Sequence, residues 1–156
     1  VSHYEERLER DLNWIHDLVA IVGQSITQAI TDAVQSVLRL DKDLAAMTVI
    51  GDYTTNRQAR ELARLCHALV ARNLPSAGHL RSVSAVLRLN IALERIGDYA
   101  ATISRTTAQL STAPPPVVAR DIEMMADQAR RLLADALRSF AHRDVDLAAA
   151  TQSSAA

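Results

Sequence analysis

Between His3 and Leu40 apolar side chains recur at alternating steps of three and four residues. Leu8, Ile15, Val22 and Ala29 form one seam, and Leu12, Val19, Ile26, Ala33 and Leu40 fill the other. That spacing predicts a long amphipathic helix packed nearly parallel or antiparallel to its neighbours in a bundle. Asp41 is placed to cap a second helix running from about Lys42 to Arg72. Along it Asp52, Asn56, Ala59, Ala63, Cys66 and Val70 share one stripe, so an oxygen-bearing pair leads into an apolar run. At Asn73-Leu74-Pro75-Ser76 the proline ends this helix and the serine caps a third, from about Ala77 to Gln109. The third helix carries two apolar stripes. Val86, Leu89, Leu93, Ile96, Ala100 and Ile103 make one, while Leu80, Leu87 and Ile91 make another, roughly opposite. A helix apolar on two sides is expected to sit between neighbours. Ser111 to Pro116, with its three prolines, reads as a short stiff linker that cannot be helical. Val117 to His142 then predicts a fourth helix, and Asp144 the start of a fifth.

Candidate chemistry sits where the second stripe of the third helix turns acidic. Glu94 and Asp98 are four residues apart, so both carboxylates project from one face. Arg95 is the only basic residue within a turn of Asp98, and Glu94 has none at Asn90, Ile91, Gly97 or Asp98. Asp52 and Asn56 lie about 20 residues before the Leu74–Pro75 turn, and Glu94 and Asp98 about 20 after it. At ~1.5 Å rise per residue, both pairs stand about 30 Å from the turn, level on antiparallel helices. The expectation is a metal site of Glu94, Asp98, Asp52 and Asn56. It would hold a hard or borderline cation (Mg, Mn, Fe, Ca or Zn), the alternative being a solvated acidic face. Gly97, costly within a helix, would allow a backbone or an ion to approach beside Asp98.

Composition narrows the classes. At 156 residues and 49% hydrophobic, with four glycines and long stretches free of breakers, the chain fits one all-α globular domain with a real core. A net charge of −1 with interspersed signs gives no nucleic-acid footprint. Cys66 is alone, which excludes an intrachain disulfide and suits a reducing compartment. No apolar run reaches membrane-spanning length and no leader pattern opens the chain, so the expected location is cytoplasmic. His16 and His67 lack the small-residue and lysine surroundings of a phosphotransfer histidine. No Glu-x-x-His pair supports a ferritin-like di-iron oxidase, and no phosphate loop or Ser/His/Asp signature is present. The chain is therefore expected not to be an enzyme.

The stretch Thr31–Thr48 can be laid over Ala134–Thr151 without a gap, half of the positions being identical, at an offset of 103 residues (Asp41 onto Asp144). Such self-similarity marks a duplicated helical unit. Leu93-Glu94-Arg95-Ile96-Gly97-Asp98, the helix start Leu74-Pro75-Ser76-Ala77-Gly78-His79-Leu80-Arg81, and Asp41-Lys42-Asp43-Leu44-Ala45 together resemble the PhoU family of phosphate-uptake regulators. The resemblance implies tandem three-helix bundles, each with an acidic metal-binding signature. Residues 1–110 would be one complete unit, 111–116 the linker and 117–156 the start of a second. His79 stands where the family usually has an acid, and a second acidic signature is absent. The resemblance further implies a non-catalytic regulator whose partners are a phosphate ABC transporter and a phosphate-sensing histidine kinase, reaching the membrane only through them. The class alternative is a metal-free helical scaffold or dimerisation module. Val118, Ile122, Met125, Leu132, Leu133 and Leu137 need cover, so the fourth helix should pack on the first bundle or on another copy, most simply as a homodimer.

Overall fold

The computed structural model describes residues 3–73 and 75–155, apart from the side chain of Tyr4. Among the described residues the chain is all-α, in the order α1 (His3–Arg39), α2 (Lys42–Arg72), α3 (Ala77–Gln109), α4 (Pro116–His142) and α5 (Val145–Ser154). No described helix is long and apolar enough to cross a membrane.

Local chemistry sets the boundaries. Asp41 accepts the Leu44 N–H at 2.9 Å, Ser76 Oγ accepts that of His79 at 3.4 Å, and Asp144 accepts that of Leu147 at 2.9 Å. Each satisfies a first-turn donor that has no intrahelical partner. Leu40, expected to close α1, instead takes φ +52° and ends the helix one residue early. Pro116, expected in the linker, is the first residue of α4. Its ring already holds a helical φ, and its missing N–H is one that the first turn leaves unused. The expected break at Leu74 lies outside the described residues.

Helices α1, α2 and α3 form one bundle. Leu8, Ile15, Val19 and Val22 meet Leu62, Cys66 and Leu69 of α2 and Val83, Val86 and Leu93 of α3. Burying each of the larger side chains contributes roughly 1.5–3 kcal/mol. Toward the C-terminal ends of α1 and α3 the core turns small and polar. Ser36, Ser104 and Thr107 are fully buried there, and the Ser36 and Thr107 hydroxyls stand 3.3 Å apart.

α4 lies along α1. Leu133 joins the cluster of Val22, Ile26 and Leu93, Leu137 covers Gly23, and Phe140 stacks on His16 with ring centroids 5.3 Å apart. The C-terminal half of α4 thus finds its cover on the first bundle, whereas Val118 and Met125 remain exposed. The second stripe of α3 also departs from expectation. Leu80 is 45% and Ile91 59% exposed, because among the described residues α3 packs on α1 and α2 alone and no further helix closes over these positions.

The internal repeat recurs bond for bond. Asp41 N donates to Ser36 O and Asp144 N to Ser139 O, both at 2.9 Å. Leu40 and Arg143 share φ values of 52° and 53°. Ser36 and Ser139 return their hydroxyls to the carbonyls of Ala33 and Ala136, and Thr48 and Thr151 theirs to Leu44 and Leu147. Every pair is 103 residues apart, as are Asp41 and Asp144.

Candidate functional site

The α2–α3 contact fixes where the acidic residues meet. Asn90, buried on α3, donates its side-chain N–H to the Ala59 carbonyl of α2 at 2.9 Å, pinning the register of the two helices. Two turns further along α3, Gly97 faces the bundle. A methyl carbon placed there would lie 2.8 Å from Ile26 Cδ1 and 3.7 Å from Asp52 Oδ1. The glycine thus seats Ile26 of α1 and lets the Asp52 carboxylate stand against the α3 backbone, next to Asp98 in sequence.

Asp52, Asn56 and Glu94 are half-buried, and Asp98 is exposed. Asn56 donates its amide N–H to Asp52 Oδ2 at 2.9 Å. Burial pushes the Asp52 carboxyl above its ordinary range, and the negative charge of Asp98 pushes it further; Arg105 and the Asn56 hydrogen bond pull the other way. The structure therefore brings the Asp52–Asn56 pair of α2 within electrostatic reach of Asp98 on α3. Glu94 is on the same face one turn away, but among the described residues no three His, Cys, Asp or Glu side chains gather closely enough to form a metal-binding group.

Chemically, the site offers two carboxylates in mutual repulsion and an amide already committed as a donor. A cation held there would take few protein oxygens and keep most of its water, which suits a hard divalent ion and not a closed site. There is no nucleophile in the arrangement.

Two contributors escaped the sequence pattern. Arg105 lies seven residues past Asp98, two turns along the same face, so a search confined to one turn passes over it. Asn90 reads as an ordinary polar residue until its burial against Ala59 is seen; its own carbonyl oxygen is buried without a partner.

The chain as a whole is similar to known proteins. The family described as the PhoU domain matches residues 19–107. The phosphate-specific transport system accessory protein PhoU homolog of Pseudomonas putida is 30% identical over 147 residues, covering 94% of this chain and 57% of its own length. The phosphate-specific transport system accessory protein PhoU of Edwardsiella tarda is 30% identical over 145 residues, covering 93% and 60% respectively. The chain thus spans less than two thirds of either relative. The crystal structure of PhoU from Pseudomonas aeruginosa superposes with a TM-score of 0.85 at 27% identity, over 91% of this chain and 68% of that one.

Proposed function

The chain belongs to the PhoU family, and from that premise we propose that it is a non-catalytic regulatory module of phosphate uptake and phosphate-starvation signalling, working by protein–protein contact. The observation that carries this is the match of nearly the whole chain to accessory proteins of phosphate-specific transport systems. Long helical faces with exposed apolar side chains, Ile91 on α3 and Met124 and Met125 on α4 among them, suit docking to helices or domains. The proposed partners are the cytosolic side of a phosphate ABC transporter and a phosphate-responsive histidine kinase. The same exposed faces support self-association, read by sedimentation velocity across a concentration series.

This contact role does not require a metal, and the spread of the acidic residues favours a scaffold that works without one. A divalent ion at Asp52 and Asp98, with Glu94 and Asn56 nearby, is a separable addition. It would neutralise the acidic face and so bias docking, and the coupling would be reciprocal.

The test measures binding of purified chain to the transporter's cytosolic subunit and to the kinase, with chelator, with Mg²⁺ and with Mn²⁺. Binding unaffected by chelator supports the scaffold alone; binding altered by chelator, and insensitive to it in Glu94→Gln, supports the metal. Metal content equal in wild type and Asp98→Ala would remove the ion from the proposal. Unchanged phosphate control after deleting the gene, in a cell with no second copy, would overturn the regulatory role.

A further inference from the structure

We propose that the cleft between the first bundle and the α4–α5 hairpin binds a small organic anion with a planar body, about the size of a mononucleotide. The proposal is independent of the regulatory role and of the acidic face, none of whose residues line this cleft.

The cleft encloses about 990 Å³ and is walled by α1, the first turns of α3, the end of α4 and the start of α5. That volume is at the upper end of small-molecule sites, which combine an apolar lining with a few convergent polar groups. Leu12, Phe140 and Ala148 supply the apolar lining. Phe140 and His16 both face it and stack with an interplanar angle of 18°, forming a flat edge against which a planar group can lie. Burial, aided by the nearby Arg143 charge, lowers the His16 pKa, so the imidazole is neutral at neutral pH and acts as part of that surface.

The anion end is set by two guanidinium groups arriving from different walls. Arg81 comes from α3 and Arg143 from the α4–α5 turn, and among the described residues neither forms an ion pair. Two carboxylates also line the cleft, Glu9 and Asp144. Asp144 is occupied in capping α5, where it accepts the Leu147 N–H. Guanidinium forks match the oxygens of carboxylate and phosphate groups. The N-terminus of α3 opens on the same space at Ser76 and Gly78, adding the partial positive charge of a helix start. Gly78 has no side chain to obstruct it, and a methyl carbon there would meet only Ser76 Oγ, at 3.7 Å.

The test is a ¹⁵N-resolved NMR titration of the full chain with AMP, with adenosine and with inorganic phosphate. AMP is expected to give saturable shifts concentrated at Gly78, Arg143 and Ala148, with adenosine and phosphate each at least tenfold weaker. Arg81→Gln alters an exposed side chain and should weaken AMP at least tenfold while leaving the spectrum elsewhere unchanged. Arg95→Gln, on the distant acidic face, should leave AMP binding as it is. Absence of saturable shifts in the cleft at millimolar AMP, inorganic phosphate binding as tightly as AMP, or Arg81→Gln binding AMP like wild type would each overturn the proposal.

Discussion

Gly97 and Gly51 are both helical glycines, yet the bundle treats them oppositely. A methyl group at Gly97 meets buried Ile26 at 2.8 Å, whereas at Gly51 nothing lies within 4 Å. Helix propensity favours alanine at either site by about 1 kcal/mol, and overpacking a tight core costs roughly 1–3 kcal/mol. Gly51→Ala is therefore expected to gain about 1 kcal/mol and Gly97→Ala to lose about 1 kcal/mol net, read as opposite shifts in urea midpoint at constant slope. Asp52 gives a pH-dependent counterpart. Its folded-state pKa lies above the unfolded value, so the stability it contributes is present below the ordinary carboxylate range and is lost as pH rises through the raised value. Asp52→Asn should thus be more stable than wild type near neutral pH and match it in strong acid. Excess Mg²⁺ should shrink the neutral-pH difference if the carboxylates hold an ion. Cys66 is fully buried and its thiol is pushed up to about 11 by burial, so a thiol reagent should modify it only on unfolding.

At the scale of helices, what was legible in the sequence was whatever local chemistry decides. Asp41 and Ser76 cap as residues of their type do at a helix start, and the seams of α1 are buried at Leu8, Ile15, Val19, Val22, Ile26 and Ala33, with Leu12 and Ala29 half-buried. What the pattern could not supply was the number of neighbours. Leu80, Leu87 and Ile91 look alike from the sequence, yet Leu87 packs half-buried against the core of the bundle while Leu80 and Ile91 stay open. Likewise, the apolar positions of α4 give no sign that Leu133 and Leu137 would be covered while Val118 and Met125 would not. Amide hydrogen exchange should reproduce that division, with protection strong from about Leu133 to Phe140 and weaker toward Val117. Gly23→Ala would push against Leu137, whose Cδ1 would be 2.7 Å from the added carbon. It should speed exchange in α4 before it affects α2 or α3.

Across the whole molecule, the acidic face was only partly legible. The i,i+4 spacing and the level of the two pairs were enough to bring Asp52 toward Asp98 across the hairpin, since both follow from helix rise. The spread of Glu94 away from them and the approach of Arg105 depend on how α2 and α3 are rotated about their axes, which periodicity does not fix. The repeated turn carries a different kind of consequence. Leu40 and Arg143 hold the same left-handed backbone 103 residues apart, inside turns with matching hydrogen bonds, yet one ends a helix of the full bundle and the other a hairpin at its margin. A left-handed non-glycine residue costs roughly 1–2 kcal/mol, so Leu40→Gly and Arg143→Gly relieve the same backbone strain in two settings. Arg143 is exposed and should show nearly the whole gain, whereas half-buried Leu40 surrenders packing with its strain and should show less. The chain carries its own replicate of this backbone, and the difference between the two midpoints reads what the packing of the Leu40 side chain contributes.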